Sequence, residues 1–168
     1  MERLSPGSIE ETIRKNSYGI EIGGKSPQAL MAELRQSHIS VSDWARDMME
    51  SPDFATLGRR TEIEVARLTP ADLGFIRYPT TEQFFDRAAS FGLELLPAEA
   101  GQHARLQDGN QRPGDWYHIA MDPIADRYGG PGVFLLGRGG GGLWLDGRWA
   151  SPGDHWNLDN AFVFGLRK

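Results

Sequence analysis

The chain has 168 residues, of which 39% are hydrophobic and 24% charged, and its formal net charge is −5. This length and composition exclude a disordered chain and predict one folded domain with a substantial core. Because the chain contains no cysteine, disulfides, thiolate metal sites and a cysteine nucleophile are excluded. No apolar run approaches the roughly 18 residues of a membrane span, and the N-terminal stretch shows no export signal, so we expect a cytoplasmic protein. The negative charge disfavours nucleic acid and membranes as partners and suits a basic partner.

Three short helices are predicted in the first third of the chain. Ser8 fits the N-cap position of the first helix, because a glutamate follows three residues later. Ser26 followed by Pro27 is a favoured start for the second helix. In the third helix, Trp44 and Met48 are four residues apart, and this spacing predicts that both lie on one apolar face.

The middle of the chain alternates between predicted strands and helices. "TEIEVARL" has the apolar pattern of a strand, and "TTEQFFDRAASFG" is the clearest helix, with a threonine cap and a glycine at its C-terminal end. "LELLP" is predicted to form the next strand. "PAEAGQHARLQ" fits either a short helix or a loop that enters a strand.

The last third is predicted to be an antiparallel meander. Its candidate strands are "WYHIAM", "VFLLGR", "GLWLDGRW" and "AFVFGLR". Gly139 to Gly142 is the predicted tip of one hairpin, and Asp146-Gly147 is the predicted turn of another. We therefore expect an α+β fold in which N-terminal helices pack with a mainly antiparallel sheet. Residues 1–168 are expected to form a single domain, with a helical part at 1–58 and an α+β core at 59–168.

The order of several motifs in the second part of the chain resembles an uncharacterised family of small bacterial proteins. The motifs are "FGLELLPAEAG", "IAMDPIAD", "GGPGVFLLGRGGGGLWLDGRW" and "FVFGLRK". The resemblance implies that residues 60–168 form one folding unit. It implies no activity, cofactor or functional site.

The stretch "GIEIGGKS" matches the phosphate-loop pattern G-x-x-x-x-G-K-[ST]. In a nucleotide-binding enzyme, the backbone at Gly24, the Lys25 ammonium and the Ser26 hydroxyl would hold the phosphates and Mg²⁺. Such a loop needs a buried parallel strand before it, whereas the residues before Gly19 are charged and helix-like. The alternative interpretation, which the sequence favours, is a turn at Gly23-Gly24 followed by a helix cap at Ser26.

Catalytic candidates are few. Glu99 follows a predicted strand and could act as a general acid or base if burial raised its pKa. His118 and Asp122 lie in and directly after another predicted strand. His118, His155 and Glu99 could form the site of a metal-assisted hydrolase only if the fold brings them together, because no two histidines are spaced to share one helix face.

Glycine-rich and aromatic loops near the C-terminus suggest binding instead of catalysis. Arg138 and Trp144 flank the glycine tip, and His155 and Trp156 lie in the turn-rich stretch "SPGDHWNLDN". Trp156 is either a core anchor, which the sequence favours, or an exposed binding aromatic. The sequence shows no strong catalytic signature and implies no cofactor or metal. We therefore expect a non-catalytic binding or regulatory protein that acts through a protein–protein surface, with a nucleotide-binding enzyme and a metal-assisted hydrolase as the alternatives.

Overall fold

The structure, a computed structural model, describes residues 4–167. Residues 1–3, which open the stretch examined for an export signal, and residue 168 lie outside this range. The helices of the described chain are α1 (Pro6–Lys15), α2 (Pro27–Gln36), α3 (Asp43–Glu50), α4 (Thr81–Ser90) and α5 (Ala100–Gln107), with a 3₁₀ turn at Ala71–Leu73. The strands are β1 (Ser17–Ile22), β2 (Ser40–Val41), β3 (Thr61–Leu68), β4 (Leu93–Glu94), β5 (Trp116–Ile119), β6 (Ile124–Ala125), β7 (Pro131–Gly139), β8 (Gly142–Trp149) and β9 (Phe162–Leu166).

The fold is α+β, with one mixed sheet. Its strand order is β1-β3-β9-β5-β7-β8-β2, with β4 paired to β9 and β6 to β7. The expectation of a mainly antiparallel sheet ending in a simple meander is wrong, because β5–β9 and β2–β8 pair in parallel. The last strand does not pair with its predecessor in sequence; it inserts between β3 and β5. This crossover pairs strands that are far apart in the sequence. Turn residues and the alternation of apolar and polar residues predict local structure and do not predict such long-range pairing.

The first 58 residues contribute strands as well as helices. β1 pairs antiparallel with β3 from Ser17 to Ile22, at one end of the strand order. The side-chain amide of Gln107 donates to the carbonyl of Glu21 at 2.7 Å and accepts from its N–H at 2.9 Å. These two bonds occupy backbone groups on the outer side of β1, as a neighbouring strand would. The predicted helical part is therefore joined to the same sheet as the rest of the chain.

Two local predictions are corrected. α1 begins at Pro6, and its N-cap is Ser5, whose side chain accepts from the N–H of Ser8; the serine-proline start that was recognised in α2 recurs here. Asp146-Gly147 is not a hairpin turn, because β8 continues through both residues. At Gly147 a Cβ would lie 2.8 Å from the Met48 sulfur. The glycine is required because α3 packs closely on the strand. In the sequence, an Asp-Gly pair inside a strand has the same pattern as an Asp-Gly turn between two strands.

Helices cover both faces of the sheet. On one face, Phe84 of α4 packs against Phe162 and Phe164 of β9, with ring centroids 5.4 Å apart in each pair. On the other face, α5 lies so close to β7 that a Cβ on Gly101 would be 3.0 Å from Phe134. The register assigns the remaining strand positions to a face, because paired residues of neighbouring strands share one face.

No helix within residues 4–167 is both long enough and apolar enough to cross a lipid bilayer.

Candidate functional site

Three aromatic side chains form a contiguous exposed group, here called the aromatic triad: Trp44, Tyr128 and Trp149. They come from α3, from the turn between β6 and β7, and from the last residue of β8. Their residues are 38%, 69% and 51% exposed, respectively. The Trp44 ring centroid lies 5.2 Å from that of Tyr128 and 6.1 Å from that of Trp149. Large aromatic side chains are mostly buried in soluble proteins, so a contacting group of three exposed rings is informative.

Hydrogen bonds to Asp126 hold the Trp149 indole and the turn that carries Tyr128. The indole Nε1–H of Trp149 donates to Oδ2 of Asp126. Oδ1 of the same carboxylate accepts from the N–H groups of Tyr128 at 2.8 Å and Gly130 at 3.0 Å. Burial alone would raise the pKa of Asp126, but these three donors outweigh it and hold the pKa below its usual value. The carboxylate therefore stays charged at neutral pH and keeps the turn and the indole fixed.

The backbone beneath the triad is shaped to receive the rings. A Cβ on Gly130 would lie 2.3 Å from Nε1 of Trp149, so the indole rests directly on the glycine. Arg127, next to Tyr128 in the turn, pairs with Asp47 of α3. This ion pair links the β6–β7 turn to the helix that carries Trp44. The three rings are consequently presented by backbone segments that are tied to one another.

Such a surface can bind apolar groups of a partner without first becoming ordered. Tryptophan and tyrosine carry a large share of the binding energy at many protein interfaces, because they combine a large apolar area with few rotatable bonds. Side chains that are already held in place lose little conformational entropy when a partner docks. The triad has these properties and lacks the enclosed shape of a small-molecule cavity.

The sequence analysis did not identify the triad. Trp44 was assigned to the apolar stripe of α3 with Met48, but Met48 is 1% exposed and Trp44 is 38% exposed. The two side chains are one helical turn apart, yet only Met48 is buried. Tyr128 lies in a turn and Trp149 at the end of a strand, and no periodic pattern in the sequence links either residue to a helix position.

The four predicted binding residues lie in different places. Trp156 is 3% exposed, and its Nε1–H donates to Thr81 at 2.7 Å, so it is a core residue. His155 is exposed and forms an isolated bridge with Thr80. Trp144 is half-buried and lies across Gly137, where a Cβ would be 1.9 Å from its ring. Arg138 is also half-buried and donates to the Gln111 carbonyl at 3.0 Å. Because Arg138 is adjacent to Gly137 in β7, its side chain points to the opposite face from Trp144.

The phosphate-loop stretch is occupied by contacts within the protein. The Gly23 N–H donates to the Glu99 carboxylate at 2.7 Å, and the Gly24 N–H donates to the Leu57 carbonyl at 2.9 Å. Lys25 pairs with Glu33 at 2.6 Å, and the Ser26 hydroxyl caps α2. The preceding strand β1 is paired in antiparallel fashion, whereas a phosphate loop follows a buried parallel strand. These contacts favour the interpretation as a turn and a helix cap.

Glu99 and His103 form a buried pair beside that turn. Glu99 is 0% exposed, accepts from the N–H groups of Gly23 and Leu57, and lies 3.1 Å from Nε2 of His103. Burial lowers the pKa of His103, so the imidazole is neutral at neutral pH, and its Nε2 lies 3.1 Å from both the Glu99 carboxylate and the Gly23 N. This arrangement ties α5 to the segments around Gly23 and Leu57. It also uses the Glu99 oxygens for backbone contacts, which suits a structural carboxylate.

The other catalytic candidates are not assembled into one site. His118 is fully buried, stacks on Phe162 with a centroid separation of 4.4 Å, and lies 3.1 Å from the Ala161 carbonyl. It therefore occupies the α4 side of the sheet, whereas Glu99 lies beside α5 on the other side. Asp122 is exposed, between β5 and β6. Across residues 4–167, no group of three histidine, cysteine or acidic side chains could hold a metal ion.

Comparison with known proteins gives no further assignment. No protein-family model, curated protein or solved structure matches the chain.

Proposed function

We propose that this chain is a non-catalytic binding protein and that the aromatic triad of Trp44, Tyr128 and Trp149 is its docking surface for a protein partner. The observation that carries the proposal is the exposure of three contacting aromatic rings, of which the Trp149 indole is held by a hydrogen bond to Asp126 and Tyr128 lies in a turn held by the same carboxylate. Exposure of an aromatic surface of this kind to water is unfavourable, and the free energy falls when a partner covers it.

The surroundings of the triad support a protein partner over a small molecule. Its charged neighbours are largely paired with one another, Arg127 with Asp47 and Arg46 with Asp43, which leaves an apolar centre with a polar rim. This distribution is typical of protein interfaces. The open surface gives a small ligand little opportunity to bury most of its area, which tight binding of such ligands requires.

Photo-crosslinking from within the surface tests the proposal. A photoreactive phenylalanine analogue replaces Tyr128 in one version of the protein and Tyr78 in the other, and each is irradiated in an extract of the cells that make it. The two tyrosines are matched, with exposed fractions of 69% and 59%, but only Tyr128 belongs to the triad. We expect a discrete crosslinked protein from position 128 that is absent at position 78 and lost when Trp149→Ala is added.

Two results would contradict the proposal. One is the same crosslinking pattern from both positions, which would indicate random collisions. The other is a crosslink at position 128 that persists unchanged with Trp149→Ala, which would show that the aromatic surface contributes nothing to binding.

A further inference from the structure

A second surface lies on the opposite face of the sheet from the triad. It is a groove of about 420 Å³ between α4, the segment after β4, the segment after β5 and the segment after β8. Its floor is apolar and is formed by Phe85, Leu95, Met121, Val133 and Ala150. The register separates the two surfaces, because Val133 pairs with Arg148 while the adjacent Gly132 pairs with Trp149, and adjacent strand positions point to opposite faces.

Three exposed carboxylates surround this apolar floor: Glu82, Asp86 and Asp122. Within residues 4–167, none of the three carboxylates forms an ion pair or a hydrogen bond, whereas Glu21, Glu33 and Asp115 each pair with a basic side chain. Glu82 and Asp86 are four residues apart in α4, so their like charges face each other on one side of the helix and weaken it. The groove thus combines three carboxylates that have no ion-pair partner within residues 4–167 with apolar surface.

The walls of the groove are fixed by hydrogen bonds. At the start of α4, the N–H of Thr81 donates to the Asp154 carbonyl at 2.9 Å, and the N–H of Glu82 donates to the Pro152 carbonyl at 3.1 Å. On the other wall, the N–H of Leu96 donates to the Ala120 carbonyl at 2.8 Å. A groove whose walls are already tied together needs little ordering when it is filled.

We propose that this groove binds a basic, amphipathic peptide segment of a partner protein. Lysine and arginine side chains of the segment pair with Glu82, Asp86 and Asp122, while its apolar side chains and the aliphatic stems of its basic residues cover the floor. The charge complementarity is specific to a cationic segment, since three carboxylates repel an anionic one. This proposal is independent of the aromatic triad, so either one can fail without the other.

Isothermal titration with defined peptides tests the proposal. The probe is an acetylated, amidated Lys-Leu-Lys-Leu-Lys peptide. Two control peptides replace either its lysines by glutamate or its leucines by serine. The proteins are the unaltered chain, the double variant Glu82→Gln/Asp86→Asn, and the matched control Glu62→Gln/Glu64→Gln. Both double variants remove two exposed negative charges, so a general effect of net charge changes both equally.

We expect the lysine-leucine peptide to bind the unaltered chain and the control variant alike, and to bind Glu82→Gln/Asp86→Asn about tenfold more weakly, at about threefold for each lost ion pair. Leu95→Ser, which alters a floor residue that is 38% exposed, should also weaken binding. The groove variant should melt no lower than the unaltered chain, because it removes a like-charge pair. Weakened binding then cannot be attributed to unfolding.

The proposal is overturned if the lysine-leucine peptide does not bind, if the serine or glutamate peptide binds as tightly, or if the matched control loses as much affinity as the groove variant. Unchanged affinity in both the groove variant and Leu95→Ser would overturn it equally.

Discussion

Trp149 is the last residue of β8 and Trp156 lies between β8 and β9. In both residues the indole N–H has a hydrogen-bond acceptor, yet the two side chains occupy opposite environments. Trp156 is 3% exposed and contacts His118 and Phe162 at centroid distances of 4.9 and 4.8 Å. Trp149 is 51% exposed, and its ring lies against Trp44 and the turn that carries Asp126 and Gly130. A hydrogen-bonded indole N–H therefore does not distinguish a core tryptophan from an exposed one; the surrounding apolar contacts do.

The largest expected effect comes from the buried member of this comparison. Trp156→Ala should lower the free energy of unfolding by about 3–5 kcal/mol, because it leaves a cavity among aromatic rings and removes the indole N–H that donates to the Thr81 hydroxyl. Urea denaturation followed by circular dichroism measures this change. A loss below about 1 kcal/mol would show that Trp156 is not a core residue and would remove the contrast with Trp149.

His118, which packs against Trp156, should make the stability of this aromatic core depend on pH. Burial lowers the pKa of His118 to about 3, below the value of about 6.5 in the unfolded chain. The unfolded state therefore binds a proton that the folded state does not. The resulting stability is fully present above about pH 6.5 and is lost as the pH falls towards 3, at about 1.4 kcal/mol per pH unit.

The variant His118→Phe keeps an aromatic ring beside Phe162 and removes the titrating group. In urea denaturation from pH 7 to pH 4.5, the free energy of unfolding of this variant should fall less steeply as the pH decreases. The difference between the two slopes should correspond to the uptake of about one proton on unfolding. All other titrating groups are common to both proteins, so the difference between the two slopes isolates His118. Identical slopes would mean that His118 titrates normally and is not enclosed as described.

A smaller effect is expected where the backbone supports the triad. Gly130→Ala places a Cβ where the Trp149 indole lies, so the ring must move and its hydrogen bond to Asp126 is disturbed. We expect a loss of about 1 kcal/mol in the free energy of unfolding and a shift in the tryptophan emission spectrum. Gly129 is an unsuitable control because its φ is +77°, whereas Gly109→Ala, with open space at its Cβ, should leave both quantities unchanged.

The smallest stability effect is expected at the exposed member of the comparison. Trp149→Ala should change the free energy of unfolding by no more than about 1 kcal/mol, because about half of the residue is already in water. The same urea series used for Trp156→Ala measures it. A loss as large as that of Trp156→Ala would indicate that the triad stabilises the fold, which would weaken its assignment as a docking surface.

Local patterns in the sequence predict most elements of this fold, and α4 and α5 show where they fail. The α4 segment has a threonine cap, a capping box and Phe84 and Ala88 on one apolar face, so its helix was expected. In α5, six consecutive residues from Ala100 to Arg105 are buried, including Gln102, His103 and Arg105. A helix that is buried on all sides and carries polar side chains shows no amphipathic periodicity in its sequence. Its polar side chains are stabilised by tertiary contacts, such as the hydrogen bond from Arg105 to the Gly137 carbonyl at 2.9 Å.

The candidate site was less predictable than the fold. The sequence suggested Trp156 and Trp144 as binding residues, with a core position as the alternative for Trp156; in the structure Trp156 is buried and Trp144 is half-buried. The triad combines residues from positions 44, 128 and 149, and their proximity results from the packing of α3 on β8. The register and the exposed fraction of each ring, which a single sequence does not contain, distinguish an exposed aromatic surface from the core.

The most direct test of the docking surface is the affinity of the crosslinked partner, once purified, for two tryptophan variants. Trp149→Ala removes a ring of the triad, and Trp116→Ala removes a ring that is 39% exposed but lies on the opposite face of the sheet. We expect Trp149→Ala to weaken the affinity by about 30-fold or more, corresponding to about 2 kcal/mol, and Trp116→Ala to leave it nearly unchanged. Equal affinities of both variants and the unaltered chain would contradict the assignment of the triad as the docking surface.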